Sequence, residues 1–256
     1  MNRISSVVMT LLLLVFCSGT AESAPKPAMG VALTYAAEPA DVEIATRAGR
    51  IIFVDVYDAG NMSRTPTTQD ILLITHFHSD HYSKTLADSF PGRKLVAEAG
   101  KIELPDVTII GIAAAHTSND PLQDKGGTDY IYVIETGGLR IVHFGDLGQN
   151  ALSAEQLAAI GKVDVAVSQL SNSMSDMDAK NLKGFNLMEQ VRPRLFIPTH
   201  YDDDTIKIAV ERWKGFYSTS RTIAISSATL PPAQSILILG SMSVAYGKVL
   251  KLELWQ

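Results

Sequence analysis

The sequence predicts a single α+β domain of mixed sheets with helices on the outside. Three observations lead there: a first half of short β-branched runs, a second half in which strands alternate with helical periods, and no repeats, linkers or low-complexity stretches to divide the chain. The chain has 256 residues, 46% apolar and 19% charged, enough to bury roughly 70–75% of its unfolded surface in one core. That composition excludes disorder, collagen and coiled coil. A net charge of -5 offers no basic footprint for nucleic acid, so the expected partner is a small molecule.

Residues 1–23 read as a cleaved secretory signal. Arg3 gives a positive start, Val7–Phe16 an apolar run, and Ala21-Glu22-Ser23 small residues before the cut. The run is shorter than the roughly 20 apolar residues a membrane span needs, and no later segment approaches that length. An exported protein, periplasmic or secreted, is therefore expected. The one cysteine, Cys17, lies inside the signal behind bulky Phe16, which argues against lipid attachment. The domain expected at 24–256 then has no cysteine to serve as disulfide partner, nucleophile or metal ligand.

Strands are expected at Val31–Ala36, Asp41–Ala45 and Arg50–Val56, with Arg47-Ala48-Gly49-Arg50 as a hairpin turn. Ile71–Thr75 is a continuous apolar strand, followed by strands at Lys94–Glu98 and Val107–Ala113. Tyr130–Glu135 and Leu139–Phe144 flank a Gly137-Gly138 turn. Ser153-Ala154-Glu155-Gln156 has the form of a capping box, and the helix it opens stops at Gly161. Strand Asp164–Gln169 follows. A helix over Asp178–Val191 places Leu182, Phe185, Met188 and Val191 on one stripe, and Pro193 closes it before strand Leu195–Pro198. The next helix takes Asp203 or Asp204 as its cap and turns Ile206, Ala209, Val210 and Trp213 inward. Strands Thr222–Ile225 and Ser235–Leu239 complete the core.

The chemistry concentrates where strand Ile71–Thr75 ends, in Thr75-His76-Phe77-His78-Ser79-Asp80-His81. In a chain with six histidines, H-x-H-x-D-H is expected by chance roughly 0.0002 times. Residues i and i+2 leaving a strand point the same way, so His76 and His78 can share a cation, while Asp80 and His81 in the turn beyond can reach a second. Imidazole and carboxylate suit zinc or manganese rather than magnesium or calcium. Two cations need more ligands than these four residues. The candidates are His116, Asp146 and His200, each just past the C-terminal end of a strand, where distant groups meet on one rim of a sheet.

In that order, His76-x-His78-x-Asp80-His81, His116, Gly145-Asp146 and Pro198-x-His200-Tyr201 resemble the metallo-β-lactamase superfamily of metal-dependent hydrolases. Met177-Asp178-Ala179 through Val191-x-Pro193 to Ile197-Pro198-x-His200-Tyr201 is similar to its subgroup related to ascorbate-6-phosphate lactonase. The resemblance implies a four-layer αβ/βα sandwich with a dinuclear site on one edge. His76, His78 and His116 would hold one divalent ion, zinc or manganese, and Asp80, His81 and His200 a second, with Asp146 bridging both. It further implies hydrolysis of an ester, lactone or phosphodiester of a small molecule by a shared hydroxide, with Asp80 shuttling a proton as a catalytic residue. The chain departs from the subgroup in carrying Ala40-Asp41-Val42-Glu43 where a Gly-His pair is usual. A bridging aspartate and the lack of a cysteine ligand argue against β-lactam opening. A protein that keeps the fold and a structural metal without catalysis is the alternative reading.

Several neighbours carry plainer expectations. His143, on the strand before Asp146, fills no motif position and reads as structural. Asp55 is either a hydrogen-bond acceptor for the metal loop or an ordinary turn aspartate. Asp202, Asp203 and Asp204 read as capping and solvated acids, Ser171, Asn172 and Tyr201 as residues that could face the cleft, and Met174, Met177 and Met188 as packing.

Overall fold

A computed structural model describes residues 30–37, 40–120, 128–240 and 250–251, and the predicted signal at 1–23 lies outside them. The elements run in chain order β1 (Gly30–Ala37), β2 (Asp41–Ala45), β3 (Ile51–Val54), β4 (Ile71–Ile74), α1 (Lys84–Ser89), β5 (Arg93–Val96), β6 (Gly100–Leu104), β7 (Val107–Ala114), β8 (Asp129–Thr136) and β9 (Leu139–His143). They continue with α2 (Ala154–Ile160), β10 (Val165–Gln169), α3 (Lys183–Val191), β11 (Leu195–Thr199), α4 (Asp203–Arg212), β12 (Lys214–Ser218), β13 (Thr222–Ser226), β14 (Ser235–Leu239) and β15 (Leu250–Lys251).

Two mixed sheets result, ordered β13-β1-β2-β3-β4-β5 and β15-β12-β14-β11-β10-β9-β8-β7-β6. Strand alternation sorts their side chains into layers. Leu33, Ile44, Ile52 and Leu73 of the first sheet meet Ile109, Tyr132, Ile134 and Leu237 of the second. The intervening residues Ile131, Val133 and Val142 face outward beneath Ile160 of α2, Phe185 and Met188 of α3, and Ile206 and Ala209 of α4. On the far side, Phe53, Leu72 and Ile74 are covered by Ala87 of α1 and Phe90. The order is helix, sheet, sheet, helix, as expected. Strands buried on both faces read as unbroken apolar runs, which explains Ile71–Ile74. Each such buried side chain contributes about 1.5–3 kcal/mol.

Local signals hold in detail. Ser153 and Gln156 form the reciprocal capping box of α2, and Gly161 ends it at φ +64°. Gly137 and Gly138, at φ +60° and +75°, supply the left-handed pair that a two-residue hairpin requires between β8 and β9. Other boundaries move. Ala97, at φ +46°, stops β5 at Val96 rather than Glu98, and the chain crosses to the other sheet as β6, which the sequence reading missed. The Asp178 carboxylate accepts the amides of Lys180 and Asn181, folding 178–181 into a turn, so α3 begins at Lys183. The cap of α4 is Asp202, not Asp203 or Asp204. The strand β12 and the short helix α1 were also missed. Among the described residues, no helix is long and apolar enough to cross a membrane.

Strands β3, β4 and β5 run parallel, as do β9, β10, β11 and β14. Their C-terminal ends collect at one rim, and every residue singled out for metal chemistry lies there.

Candidate metal centre

His76 follows Thr75 off the end of β4, and the loop before α1 carries His78, Asp80 and His81. His116 lies beyond β7, Asp146 beyond β9 and His200 directly after β11. Tight turns bring them inward. Gly145 takes φ +55°, and a Cβ there would sit 2.8 Å from the Thr75 hydroxyl. Asp55 and His200 adopt φ +54° and +36°, left-handed conformations uncommon for non-glycine residues.

The seven residues fall into two groups. His76, His78, His116 and Asp146 each offer a ligand atom within 4.8 Å of one another, and so do Asp80, His81 and His200. Asp146 faces both. Its Oδ2 lies 3.8 Å from His76 Nε2 and 3.6 Å from His116 Nε2, while Oδ1 lies 3.6 Å from His81 Nε2 and 3.3 Å from His200 Nε2. His81 Nε2 and His200 Nε2 are 3.2 Å apart. Two nitrogens held tetrahedrally by one zinc at 2.0–2.1 Å lie about 3.3 Å apart, so this spacing suits a shared cation.

The ring tautomers follow from the partners behind them. Asp55, buried at the end of β3, accepts the Thr75 amide at 2.7 Å, the Thr75 hydroxyl at 2.7 Å and His81 Nδ1 at 3.1 Å. With its proton given to Asp55, Thr75 Oγ1 accepts from His76 Nδ1 at 3.0 Å. Both rings thus turn Nε2 into the cluster, the arrangement that orients metal-binding histidines. Of the two expectations for Asp55, acceptor for the metal loop is the one the geometry supports.

Charges within the cluster are strongly coupled. Burial drives His76 down to about 4. Burial works against the charged form of His81 too, but the hydrogen bond and charge of Asp55 outweigh it and raise the ring to about 9. Burial opposes ionisation of Asp146, yet the surrounding imidazoles of His116, His81 and His200 hold it well below the usual carboxylate range. Asp129, which the sequence reading missed, is pushed well above that range by burial and by the charges of Asp146 and Asp55, and its Oδ1 accepts the Asp146 amide at 3.2 Å. An aspartate opening an apolar strand carried no sequence signal for this position.

A frame fixes Asp146. Asn172 Nδ2 donates to its Oδ2 at 2.7 Å, Ser175 Oγ donates to its carbonyl at 3.1 Å, and Lys183 Nζ donates to the carbonyls of Gly148 and Ser175 at 3.2 and 2.9 Å. Asn172 thus touches the site, while Ser171 turns to Asp202 at 2.6 Å. His143 is buried with its Nδ1 accepting the Gly145 amide, the structural part expected of it. Met177 and Met188 are packed in the core, but Met174 is exposed, contrary to expectation, because its short turn lifts it out beside the rim.

His76 Nε2 and His116 Nε2, beside Asp146 Oδ2, and Asp146 Oδ1, beside His81 and His200, are buried without a hydrogen-bond partner. A buried polar atom left so costs about 1–3 kcal/mol, and such atoms on both sides of Asp146 suit bound divalent cations. With histidine and carboxylate donors and no thiolate, the residues fit zinc or manganese. A cleft of about 520 Å³ opens onto this cluster, lined by His76, His78 and His116 together with Phe77 and Met174.

Comparison with known proteins agrees with this geometry. The model of the β-lactamase superfamily domain matches residues 38–200. A UPF0173 protein of Pyrococcus furiosus is 27% identical over 175 residues, covering 60% of this chain and 76% of that protein. A UPF0173 metal-dependent hydrolase of Thermus thermophilus is 25% identical over 186 residues, covering 64% and 79%. Among solved structures, a candidate Zn-dependent hydrolase of the metallo-β-lactamase superfamily from Thermotoga maritima superposes with TM-score 0.59 at 18% identity, over 82% of this chain and 98% of that one. A metallo hydrolase of Ignicoccus hospitalis gives 0.52 at 21% identity, over 72% and 91%. The family match begins just before β2 and ends on His200, spanning every residue of the cluster, and the chain belongs to the metallo-β-lactamase superfamily.

Proposed function

We propose that this protein is a metal-dependent hydrolase that cleaves an ester, lactone or phosphodiester of a small molecule with water. The observation that carries the reading is Asp146, whose two oxygens each face a different group of histidines. In this reading His76, His78 and His116 hold one divalent cation, Asp80, His81 and His200 a second, and Asp146 lies between them. Zinc or manganese bound there would supply Lewis acidity to the scissile carbonyl or phosphoryl oxygen and lower the pKa of a water from about 15.7 toward about 7.

The chain's own residues do the rest. Asp55 and Thr75 hold the Nδ1 atoms of His81 and His76 and so aim each Nε2 inward. Asn172 holds the Asp146 carboxylate, and Ser175 its backbone carbonyl, in register. The Asp80 side chain is 50% exposed with Oδ2 4.0 Å from His81 Nε2, so it stands at the mouth, where it can take a proton and deliver it to a leaving oxygen. The cleft matches the roughly 300–1,000 Å³ of small-molecule sites. Export through the signal at 1–23 would place this activity in the periplasm or outside the cell.

A panel of esters, lactones and phosphodiesters, assayed with untagged protein loaded with zinc or manganese, tests the proposal. Turnover abolished by a chelator and restored by metal is expected. Full metal loading with no turnover of any bond class would instead favour a non-catalytic metal-binding protein.

A further inference from the structure

Two large apolar side chains are exposed among the described residues, Phe77 at 60% and Met174 at 64%, and both line the cleft over His76, His78 and His116. Single exposed hydrophobics are ordinary on a protein surface. Two on one histidine-lined cleft, brought together from 97 positions apart in sequence, are not scattered.

Both are held in place. The Phe77 ring packs edge-on against Tyr82, centroids 4.9 Å apart. The Met174 amide donates at 2.9 Å to Asn172, whose side chain also holds Asp146. The apolar wall is therefore coupled to the frame of the metal cluster, and the flexible, polarisable thioether of Met174 can adapt to the group it meets.

Charge narrows the ligand further. No lysine or arginine is among the described residues lining this cleft, whereas Asp120 is. Its Oδ2 accepts the Thr117 amide at 2.9 Å and the Thr128 hydroxyl at 2.7 Å, bonds that keep the carboxylate ionised. Protein sites for phosphate groups supply arginine, lysine, helix N-termini or bound metal ions. Beyond the metal centre, the described residues of this wall offer none of these, and Asp120 opposes a second negative charge.

We propose that Phe77 and Met174 seat the apolar portion of an uncharged carboxylic ester or lactone, taken in preference to a phosphodiester. The inference rests on the hydrolase reading and sharpens it. In the reaction water adds across the acyl carbon: a new C–O bond forms to the water oxygen, the acyl–oxygen bond to the leaving group breaks, and the leaving alkoxide takes a proton. The products are an acid and an alcohol.

The test uses the zinc-loaded full chain and a Met174→Ser variant, chosen because Met174 is exposed and Phe77 stands between two histidines of the cluster. Binding of 2-pentanone and 2-undecanone, uncharged and non-hydrolysable, is measured by calorimetry, with zinc content recorded for both proteins. Each methylene seated on the wall should strengthen binding up to about fourfold. We expect 2-undecanone to bind at least tenfold tighter than 2-pentanone, and Met174→Ser to remove most of that ratio without loss of zinc. p-Nitrophenyl octanoate should be hydrolysed with higher kcat/KM than the acetate, and bis(p-nitrophenyl) phosphate at least tenfold more slowly than either. Equal binding of the two ketones, a ratio untouched by Met174→Ser, or faster cleavage of the phosphodiester would overturn the proposal. Ketone binding that depends on chain length and Met174, in protein that hydrolyses nothing, would uphold the apolar seat and overturn the hydrolase reading beneath it.

Discussion

The two rims of the sandwich treat carboxylate charge in opposite ways. Where β3, β4, β7 and β10 begin, each carboxylate meets donors from the protein itself. Asp106 accepts Arg50 Nε and Nη2 at 3.1 and 3.0 Å, Asp70 accepts both Arg64 terminal nitrogens at 2.7 Å and the amides of Ile51 and Thr67, and Asp164 accepts the Arg140 amide. Where the same strands end, Asp146 is ringed by imidazoles whose Nε2 atoms point at its carboxylate. One rim is closed by arginine. The other gathers a carboxylate and imidazoles around a common space, an arrangement suited to bound cations. Fold stability and site chemistry are thus assigned to opposite ends of the same strands, and substitutions at the two rims should be separable.

The largest effect should come from Asp146→Ala, which removes the carboxylate shared by the two histidine groups. Turnover should fall on the order of 10³-fold or more while the far-ultraviolet dichroism stays native. Wild-type turnover in the variant would break the contrast at its centre.

Lys183→Met comes next, because it reaches the site rim from below. The carbonyls of Gly148 and Ser175 would lose their buried donor, so urea denaturation should show a loss of about 2–4 kcal/mol. An unchanged midpoint would mean the Asp146 loop stands without this lysine.

Asp55→Asn should separate orientation from ligation. Metal affinity, read by competition with a chelator, should weaken about 10–100-fold, since neither His81 nor Thr75 then has its anionic acceptor. Unaltered affinity would leave Asp55 with only a backbone role.

Asp70→Asn, at the arginine rim, should have the smallest effect, about 1 kcal/mol of stability, because Arg64 remains more than a third exposed to solvent. It should leave metal content unchanged. Its pH signature has a defined sign. Burial opposes ionisation, but Arg64 and the amides of Ile51 and Thr67 hold the Asp70 carboxyl at about 2, below its unfolded value of about 3.9. Its stabilisation is therefore complete above about pH 4, declines as the pH falls through that range, and is gone below about 2. Between pH 7 and pH 2.5 the stability gap between wild type and variant should narrow. A gap that widens on acidification would contradict the assignment.

What the sequence revealed follows the range of the interactions. The cluster His76–His81 is local in sequence, the capping box of α2 lies within four residues, and the strands buried on both faces announce themselves as apolar runs. His116, Asp146 and His200 are isolated polar residues whose convergence depends on parallel strands ending together, and only their order beside a family pattern singled them out. Asp129 and the Asn172–Asp146 bond arise wholly from tertiary approach. The missed elements are equally physical. α1 buries only Ala87 and so shows no apolar stripe. β12 follows α4 after a single residue, with Gly215 admitting Val210 at close range, so helix and strand signals run together. Exposed Met174 was read as packing because its residue type favours the core, whereas its turn lies outside it.

The most direct test of the central claim is elemental analysis of untagged protein beside Asp146→Ala and Asp70→Asn. About two equivalents of zinc or manganese in the wild type and in Asp70→Asn, with a marked fall in Asp146→Ala, is the expected result. No more than trace metal in the wild type after reconstitution, or equal content in all three proteins, would contradict a two-metal centre built around Asp146.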